Sequence, residues 1–300
     1  MILYKKLSKR ATTIITLLVC MLMFLIRWYN IYEHYYTLSD TQLEQKYSSW
    51  SERVVSDVYR SNNLELHYLD IWDISKPLLV LIHGAPGSIR DRSNVLQDER
   101  LYTQFRIIVV DRLGYGRSMP WAPEPDITIQ SQIIVGMIAS LESTADTAPL
   151  LVWHSYGGTL VPKMLMLASE SYVWGINISW ALDPETEKVF AISHVIKWRP
   201  LYRLLPPLLR TANVEKLAHA DQIREDITDR DLITKPILTI HGDADSIVDV
   251  ASAYWIDERM PDWLHTLQIL PGRDHPIHFS EPGLLSQAIL DFAKQIKKPE

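Results

Sequence analysis

The sequence predicts an α/β fold in which helices cover a mostly parallel sheet. Short runs rich in Val, Ile and Leu recur along the chain, and helical patterns separate them. The later runs are continuously apolar, as expected of parallel strands that are buried on both faces. The predicted strands are Arg53–Tyr59, Leu64–Trp72, Leu78–Ile82, Arg106–Val110, Leu150–Trp153, Val173–Trp180, Ile237–Ile240 and Thr266–Leu270, and the predicted helices are Thr128–Leu141, Gly157–Ser169, Val248–Met260 and Pro282–Lys297.

The charge of the chain is distributed unevenly. Its 300 residues carry a formal net charge of −6, and 47% hydrophobic content with 22% charged residues excludes a disordered chain. Residues 1–27 contain five basic residues and no acidic one, so the remainder holds −11. A body of this charge, without a comparable basic cluster, argues against nucleic acid as a partner. The single cysteine, Cys20, excludes a disulfide framework and a cysteine-built metal site.

An uncharged apolar run from Ala11 to Ile26 predicts a membrane-spanning helix. A run of this length spans about 24 Å, slightly short of the roughly 30 Å hydrocarbon core of a bilayer. Arg27, Trp28 and Tyr29 follow directly and extend the usable length, because such side chains lie at the level of the lipid headgroups.

We therefore expect residues 1–29 to form an uncleaved signal anchor and residues 30–50 a mostly polar stalk. The basic residues before the apolar run predict a single-pass protein whose N-terminus stays in the cytoplasm. Its body would then lie on the translocated side, which is periplasmic, extracellular or lumenal. The alternative is a secretory signal peptide that is removed, although no small-x-small cleavage site follows the run.

Residues 51–298 are expected to form one domain with a helical cap. Residues 184–234 contain helical patterns but no convincing strand, and they separate two strands of the predicted sheet. An insertion of this length usually carries a binding function. Within it, Ile196–Arg210 holds four basic residues, no acidic one and several leucines. We interpret this segment as a proline-broken lid over the pocket, with contact to anionic lipid as the alternative.

Two glycine-containing loops follow the third and fourth predicted strands. The first, His83–Gly87 (HGAPG), can present backbone N–H groups to an oxyanion at the edge of the sheet. The second, Asp111–Ser118 (DRLGYGRS), is interpreted as a structural turn that holds an Asp–Arg pair.

The fifth predicted strand ends in HSYGG, which places Ser155 between a strand and an apolar helix. A serine on such a turn projects its hydroxyl above the sheet, and the next backbone N–H can donate to an oxyanion. A helix N-cap is the structural alternative. Two later strands end in His241–Val248 (HGDADSIV) and Pro271–His278 (PGRDHPIH), which supply an acid and a histidine. This chain order of Ser, Asp and His favours a catalytic triad.

Together, these five motifs resemble those of the α/β-hydrolase fold family over roughly residues 50–298. The resemblance implies an eight-stranded, mostly parallel sheet with a short helical cap. It implies that Ser155 is the nucleophile and His275 the general base, and that Asp245 orients His275. It also implies that the backbone N–H groups of Ala85 and Tyr156 bind the oxyanion.

The assignment of the acid and the base leaves alternatives. Asp245 matches the family's usual acid better than Asp243, whereas Asp183 follows another strand and is the principal rival. His278 is the rival base. One position departs from the family pattern G-x-S-x-G, because Trp153 stands at its first glycine. An indole there requires space beside Gly157, Gly158 or another small residue.

These features predict a serine hydrolase that cleaves carboxylic esters through an acyl-enzyme. The expected partners are a small-molecule acyl substrate and membrane lipid. No cofactor is expected, and the histidines lack the spacing of a metal site. A peptidase or amidase of the same fold and a non-catalytic membrane-tethered binding protein are the alternatives. The sequence does not indicate an oligomeric state.

Overall fold

The computed structural model describes most of the chain, in two compact units, Met1–Ser39 and Asp40–Glu300. The ends of several predicted elements (Arg53, Trp72, Ser169, Val173 and Lys297), the first residues of the predicted anchor (1–8) and the last residues of the predicted cap (227–234) lie outside the described residues. The described residues are 9–36, 39–48, 54–71, 73–92, 94–143, 145, 148–168, 174–189, 191–226 and 235–296.

The first unit contains one long helix, α1 (Lys9–Tyr36). Its segment Thr12–Tyr29 has a mean hydropathy of 1.8 and no buried residue, and among the described helices it alone is long and apolar enough to cross a membrane. The hydroxyls of Thr13 and Thr16 each donate to a carbonyl oxygen one turn earlier, at 3.0 Å. Helix α1 continues past the predicted anchor into the predicted stalk, so its 28 residues extend about 42 Å.

The second unit begins with α2 (Asp40–Tyr47) and contains an eight-stranded sheet, as predicted. The strand order is β1-β2-β4-β3-β5-β6-β7-β8, and all pairs from β4 to β8 are parallel. The strands are β1 (Val54–Ser61), β2 (Leu64–Ile71), β3 (Leu78–Ile82), β4 (Arg106–Val110), β5 (Leu150–His154), β6 (Trp174–Ile178), β7 (Ile237–Gly242) and β8 (His265–Leu270).

The antiparallel edge of the sheet is a hairpin. Strands β1 and β2 are antiparallel, and the pair nearest the turn is Ser61 and Leu64. A two-residue turn joins the strands, and in it Asn62 has a φ of 53°. Asparagine tolerates this left-handed conformation better than most residues, so the Asn62-Asn63 pair fixes the turn.

Helices alternate with the strands, and the described residues of 184–226 contain three helices and no strand. Strand order reverses at β3, which lies between β4 and β5, so the loops after β3 and β5 flank the crevice where such sheets bind ligands. The helices after α2 are α3 (Glu99–Gln104), α4 (Ile127–Ser140), α5 (Gly157–Leu167), α6 (Ala191–Ile196), α7 (Arg199–Leu204), α8 (Pro207–Asp226), α9 (Ala251–Asp257), α10 (Ile277–Ser280) and α11 (Pro282–Ile296), with short 3₁₀ turns at Ile89–Arg92 and Val95–Gln97.

Two glycines make room for the buried indole of Trp153. A Cβ on Gly175, in the neighbouring strand β6, would lie 2.0 Å from Trp153 Cη2. A Cβ on Gly158 would lie 2.7 Å from atoms of both Trp153 and Trp180. The two indoles meet edge to face with their ring centroids 6.0 Å apart. Because Gly158 and Gly175 have no side chains, the core has room for the indole of Trp153 at the first position of the G-x-S-x-G pattern.

We expect Gly175→Ala to lower the free energy of unfolding by about 1–3 kcal/mol, because the added methyl group overpacks the core against Trp153. The measurement is urea-induced unfolding of the detergent-purified chain. Adding Trp153→Leu should recover part of the loss, since the smaller side chain leaves space. Gly283→Ala is the control, because its Cβ would meet no atom within 4 Å. Equal stability of Gly175→Ala and the unsubstituted chain would contradict this packing.

Candidate active site

Ser155 lies on a sharp turn between β5 and α5. It has a φ of 53°, a left-handed conformation that costs a non-glycine residue of the order of 1–3 kcal/mol. The Ser155 N–H donates to Ile178 O at 2.8 Å, which holds the turn against β6. A Cβ on Gly157 would lie 2.5 Å from His83 O, so glycine is required where α5 begins. The strained turn is therefore fixed by its neighbours.

Two backbone N–H groups beside Ser155 are available to a ligand. Within the described part of the chain, neither the Ala85 nor the Tyr156 amide donates a hydrogen bond to protein. Their loops are in contact, because a Cβ on Gly84 would lie 3.0 Å from Ser155 Cβ. Both residues line the cavity that also contains Ser155. Unpaired N–H groups at this position suit the negative oxygen of a tetrahedral intermediate.

Asp245 and His275 form a buried pair at the ends of β7 and β8. Asp245 Oδ2 lies 2.8 Å from His275 Nδ1, and the other oxygen, Oδ1, accepts hydrogen bonds from the N–H groups of Ile247 and Val248 at 2.9 and 2.8 Å. Burial opposes ionisation of this carboxyl, but the hydrogen bond and charge of His275, together with the two backbone bonds, hold the pKa of Asp245 below its ordinary value. An ionised Asp245 fixes the orientation of the imidazole.

The other acidic side chains of these two loops have a different function. Asp274 Oδ1 accepts hydrogen bonds from the backbone N–H groups of Ser246 and His275, both at 2.8 Å. Asp243 Oδ1 accepts one from Gly272 N–H at 2.6 Å. Both carboxylates are exposed and join the two loops through their backbones. They hold the loop of the acid against the loop of the histidine.

Neither rival residue takes part in the Asp–His pair. Asp183 accepts a hydrogen bond from Glu185 N–H at 3.0 Å and does not bond to either histidine in the described residues. His278 lies in α10, where its ring packs against that of His154 at a centroid distance of 4.1 Å. The described geometry thus joins His275 with Asp245, whereas Asp183 and His278 make other contacts.

The loop that carries His275 contacts His154, which precedes Ser155, and Ser179, which follows β6. The carbonyl oxygen of His275 lies 3.1 Å from His154 Nε2 and accepts a hydrogen bond from Ser179 Oγ at 3.2 Å. Among the described residues, Ser155 Oγ itself forms no hydrogen bond. In enzymes without substrate the serine–histidine contact is often long, and it shortens when the substrate is bound.

A cavity of about 250 Å³ lies between Ser155 and the cap. Its wall on the cap side comes from α6 and α8, and Ile247 and Val248 contribute from the loop of the acid. Most of the lining is apolar, as expected for a site that binds a hydrocarbon chain.

One corner of the cavity is polar. Glu187 contacts Lys216 and lies 2.8 Å from His219 Nδ1, while His219 Nε2 lies 2.8 Å from Thr159 Oγ1 on α5. Burial opposes ionisation of Glu187, but His219 and Lys216 outweigh it and lower the pKa of Glu187 to about 2. The cap therefore presents a fixed, hydrogen-bonded polar group opposite the apolar wall.

The DRLGYGRS loop is a structural turn, as the sequence predicts, and Asp111 accepts a hydrogen bond from Arg117 N–H within it. The predicted Asp–Arg side-chain pair is wrong. Asp111 instead lies 2.8 Å from His67 Nδ1 and accepts a hydrogen bond from Ile89 N–H. Arg112 donates to Glu215 on α8 through both terminal nitrogens of its guanidinium, Nη1 and Nη2, at 2.6 and 3.1 Å. Neither side chain of this second pair has any solvent exposure.

Arg112 also holds the loop that contributes Ala85. Its guanidinium donates to His83 O and Gly84 O, both at 3.0 Å, and packs against the ring of Tyr156 at 4.8 Å. Burial lowers the pKa of Arg112, but Glu215 more than compensates and raises it above the ordinary value. One charged side chain thus contacts both loops that carry the free amide groups.

Helix α8 packs on the body through a polar face that sequence reasoning missed. Thr211 donates to Gly114 O, Glu215 binds Arg112, His219 contacts Thr159 and Gln222 accepts from Ile127 N–H. These four residues are spaced by four, four and three positions, so they share one face of the helix. That spacing is visible in the sequence, but polar residues with helical spacing more often indicate a solvated face.

Residues 79–288, more than half of the chain, match the model of the alpha/beta hydrolase family. A pimeloyl-[acyl-carrier protein] methyl ester esterase from Yersinia enterocolitica is 26% identical over 249 residues, which cover 72% of this chain and 93% of the relative.

Two solved structures share the fold. A membrane phospholipase A described as a bacterial virulence factor superposes with a TM-score of 0.61 and 19% identity, over 95% of this chain and 99% of the other. A thermophilic esterase from Thermogutta terrifontis superposes with a TM-score of 0.61 and 17% identity, over 82% and 100% of the two chains.

We expect Glu215→Leu to lower the free energy of unfolding by about 3–5 kcal/mol, because it leaves the buried guanidinium of Arg112 without its counter-charge. The double variant Arg112→Met/Glu215→Leu should be more stable than Glu215→Leu alone, since it removes the unpaired charge as well. Urea unfolding of both variants provides the measurement. A single variant as stable as the unsubstituted chain would contradict a buried, charged pair.

Proposed function

Because the chain belongs to the alpha/beta hydrolase family, we propose that it is a membrane-anchored serine hydrolase that cleaves carboxylic esters. One observation carries this proposal. Ser155, on its strained turn, lines an apolar cavity together with two residues whose amide groups are unpaired. Asp245 pairs with His275, whose carbonyl oxygen lies 3.1 Å from the ring of His154, the residue before Ser155. These are the groups that acyl transfer to water requires.

The proposed reaction has two halves. His275 Nε2 removes the hydroxyl proton as Ser155 Oγ attacks the ester carbonyl carbon, and the Ala85 and Tyr156 N–H groups stabilise the resulting oxyanion. When the tetrahedral intermediate collapses, the carbon–oxygen bond to the alcohol breaks and the imidazolium gives its proton to that alcohol. Water, deprotonated by His275, then attacks the acyl-enzyme, and Ser155 leaves with the proton. Asp245 stays ionised and stabilises the imidazolium in both halves.

The cavity supports an acyl ester as the substrate. Its largely apolar lining suits a hydrocarbon chain, and the polar corner formed by Glu187, Lys216 and His219 lies in the same cavity. The similarity to a methyl ester esterase supports ester cleavage over peptide cleavage. Glu187 is the one acidic side chain in the described lining of the cavity, and Lys216 and His219 already pair with it, so it is not available to bind a peptide amine.

Attachment to a membrane is the second part of the proposal. The apolar segment Thr12–Tyr29 of α1 has the length and hydropathy of a membrane span, and basic residues precede it. We place residues 1–29 in the anchor, with the N-terminus in the cytoplasm and the hydrolase domain, residues 51–298, on the translocated side. A protein described as a membrane phospholipase A has a similar fold, which supports attachment to a membrane.

We expect Ser155→Ala to lower the turnover of p-nitrophenyl acyl esters by about 10⁴-fold or more, because the acyl-enzyme can no longer form. The matched control is Ser131→Ala, a buried serine on α4 whose hydroxyl donates to Leu160 O away from the cavity. Circular dichroism establishes that both variants fold. Turnover by Ser155→Ala at the rate of the control would exclude the proposed nucleophile.

Two asparagine substitutions separate the acid from its rival. We expect Asp245→Asn to reduce kcat by about 10³ to 10⁴-fold, because the neutral amide no longer favours the productive tautomer of His275. Asp183→Asn should retain kcat within severalfold, since the Asp183 carboxylate accepts a hydrogen bond from Glu185 N–H and does not bond to His275 in the described residues. Steady-state kinetics on a soluble ester provide the comparison. The reverse order of the two effects would assign the acid to Asp183.

A further inference from the structure

Four apolar side chains that lie close together in the sequence of the cap are exposed to solvent. On α6, Ile192 and Val195 are 59% and 52% exposed, and Trp198, which precedes α7, is 64% exposed. Leu201, on α7, also remains exposed. Single exposed apolar residues are ordinary, but a sequence-local group of four that includes a tryptophan is typical of a docking surface. We define the cap face as these four residues with Lys197, Arg199 and Arg203.

The cap face is positively charged although the domain as a whole is acidic. No Asp or Glu lies between Glu187 and Glu215 in the sequence. Lys197, Arg199 and Arg203 are exposed, and none of them forms an ion pair with any described acidic residue. Three unneutralised cations beside exposed apolar side chains are complementary to a surface that is both anionic and apolar.

A groove lies beside these cations. It has a volume of about 460 Å³ and is lined by Lys197, Arg199, Tyr202 and Asn213, among others. Asn213 also lines the cavity that contains Ser155, so the groove and the cavity are neighbours on α8. A group bound in the groove would therefore lie next to the proposed acyl site.

Helix α6 joins the cap face to the same cavity. Ser193 and Ile196 line the cavity, whereas Ile192 and Val195 are exposed on the outside of the helix. A ligand surface that contacts the outer side of α6 would lie one helix diameter from the substrate.

We propose that the cap face docks on an anionic lipid bilayer. Lipid phosphates would pair with Lys197, Arg199 and Arg203, and Trp198 would lie at the level of the headgroups with the aliphatic side chains directed toward the acyl chains. Each basic side chain near an anionic membrane strengthens the association about fivefold. This inference rests on the proposed function and identifies the surface from which the cavity receives its ester.

The single cysteine allows a direct test on the full chain. In a Cys20→Ser background, an environment-sensitive NBD fluorophore is attached at Ile192→Cys, and the chain is reconstituted into vesicles of phosphatidylcholine with or without phosphatidylglycerol. We expect the emission to move to shorter wavelength, and brominated lipid to quench it, on the anionic vesicles. The triple variant Lys197→Glu/Arg199→Glu/Arg203→Glu should lower this quenching to the level seen on phosphatidylcholine alone.

Two controls isolate the cap face. A label at Trp263→Cys, which replaces a side chain that is 74% exposed in the segment before β8, should show no quenching on either vesicle. The triple variant Arg224→Glu/Arg259→Glu/Lys294→Glu changes the net charge by the same amount as the cap-face variant, and it should retain quenching of the label at position 192. Equal quenching with and without phosphatidylglycerol, or in both triple variants, would overturn the proposal. A fluorescence change that depends only on the density of protein in the vesicles would also overturn the proposal, because it would indicate that a second copy of the chain covers the cap face.

Hydrolysis of a water-soluble p-nitrophenyl ester by the same samples separates this inference from the proposed function. Normal hydrolysis without quenching overturns the docking surface alone. Charge-dependent quenching without hydrolysis supports the docking surface and overturns the proposed activity. With both intact, the cap-face reversal should slow hydrolysis of a vesicle-embedded ester severalfold while the rate on the soluble ester stays unchanged.

Discussion

The buried ion pair between Arg112 and Glu215 is the interaction on which the arrangement of the site depends. It joins the loop after β4 to helix α8, which are 103 positions apart in sequence, and Arg112 also holds the carbonyl groups of His83 and Gly84. Removing two charges from water is costly, and the cost is offset only when their remaining hydrogen-bonding groups are satisfied. Gln130 and Tyr115 complete that set on Glu215. The cap helix and the loop with the free amide of Ala85 therefore share one structural support.

The chemistry proposed for the site follows from the sheet. Parallel strands end at the same edge, so residues that are far apart in sequence, such as Ser155, Asp245 and His275, are carried to one side of it. Small residues then allow the loops to approach: Gly157 beside the carbonyl of His83, and Gly84 beside Ser155. The strain of the Ser155 turn is compensated by this close packing, and the hydroxyl is directed to the cavity rather than to a helix cap.

Sequence reasoning predicted the strands and the alternation with helices, because apolar β-rich runs are local signals. The family motifs also indicated Asp245 and His275, and the structure joins these two residues directly. The Arg112–Glu215 pair was not predictable, because an ion pair between distant residues leaves no local pattern, and the adjacent Asp111 was the more obvious partner for Arg112. The space for Trp153 likewise depends on Gly175, in a neighbouring strand. The polar face of α8 had the spacing of a solvated helix, and only tertiary packing buries it.

In the proposed reaction, Ser155 is a nucleophile activated by its environment. The most direct measurement is intact-protein mass spectrometry of the full chain after treatment with a fluorophosphonate, followed by peptide mapping. We expect one adduct per chain, located on Ser155, with much slower formation in the presence of a competing acyl ester. An unmodified chain under conditions that label a known serine esterase, or an adduct on a different residue, would contradict it.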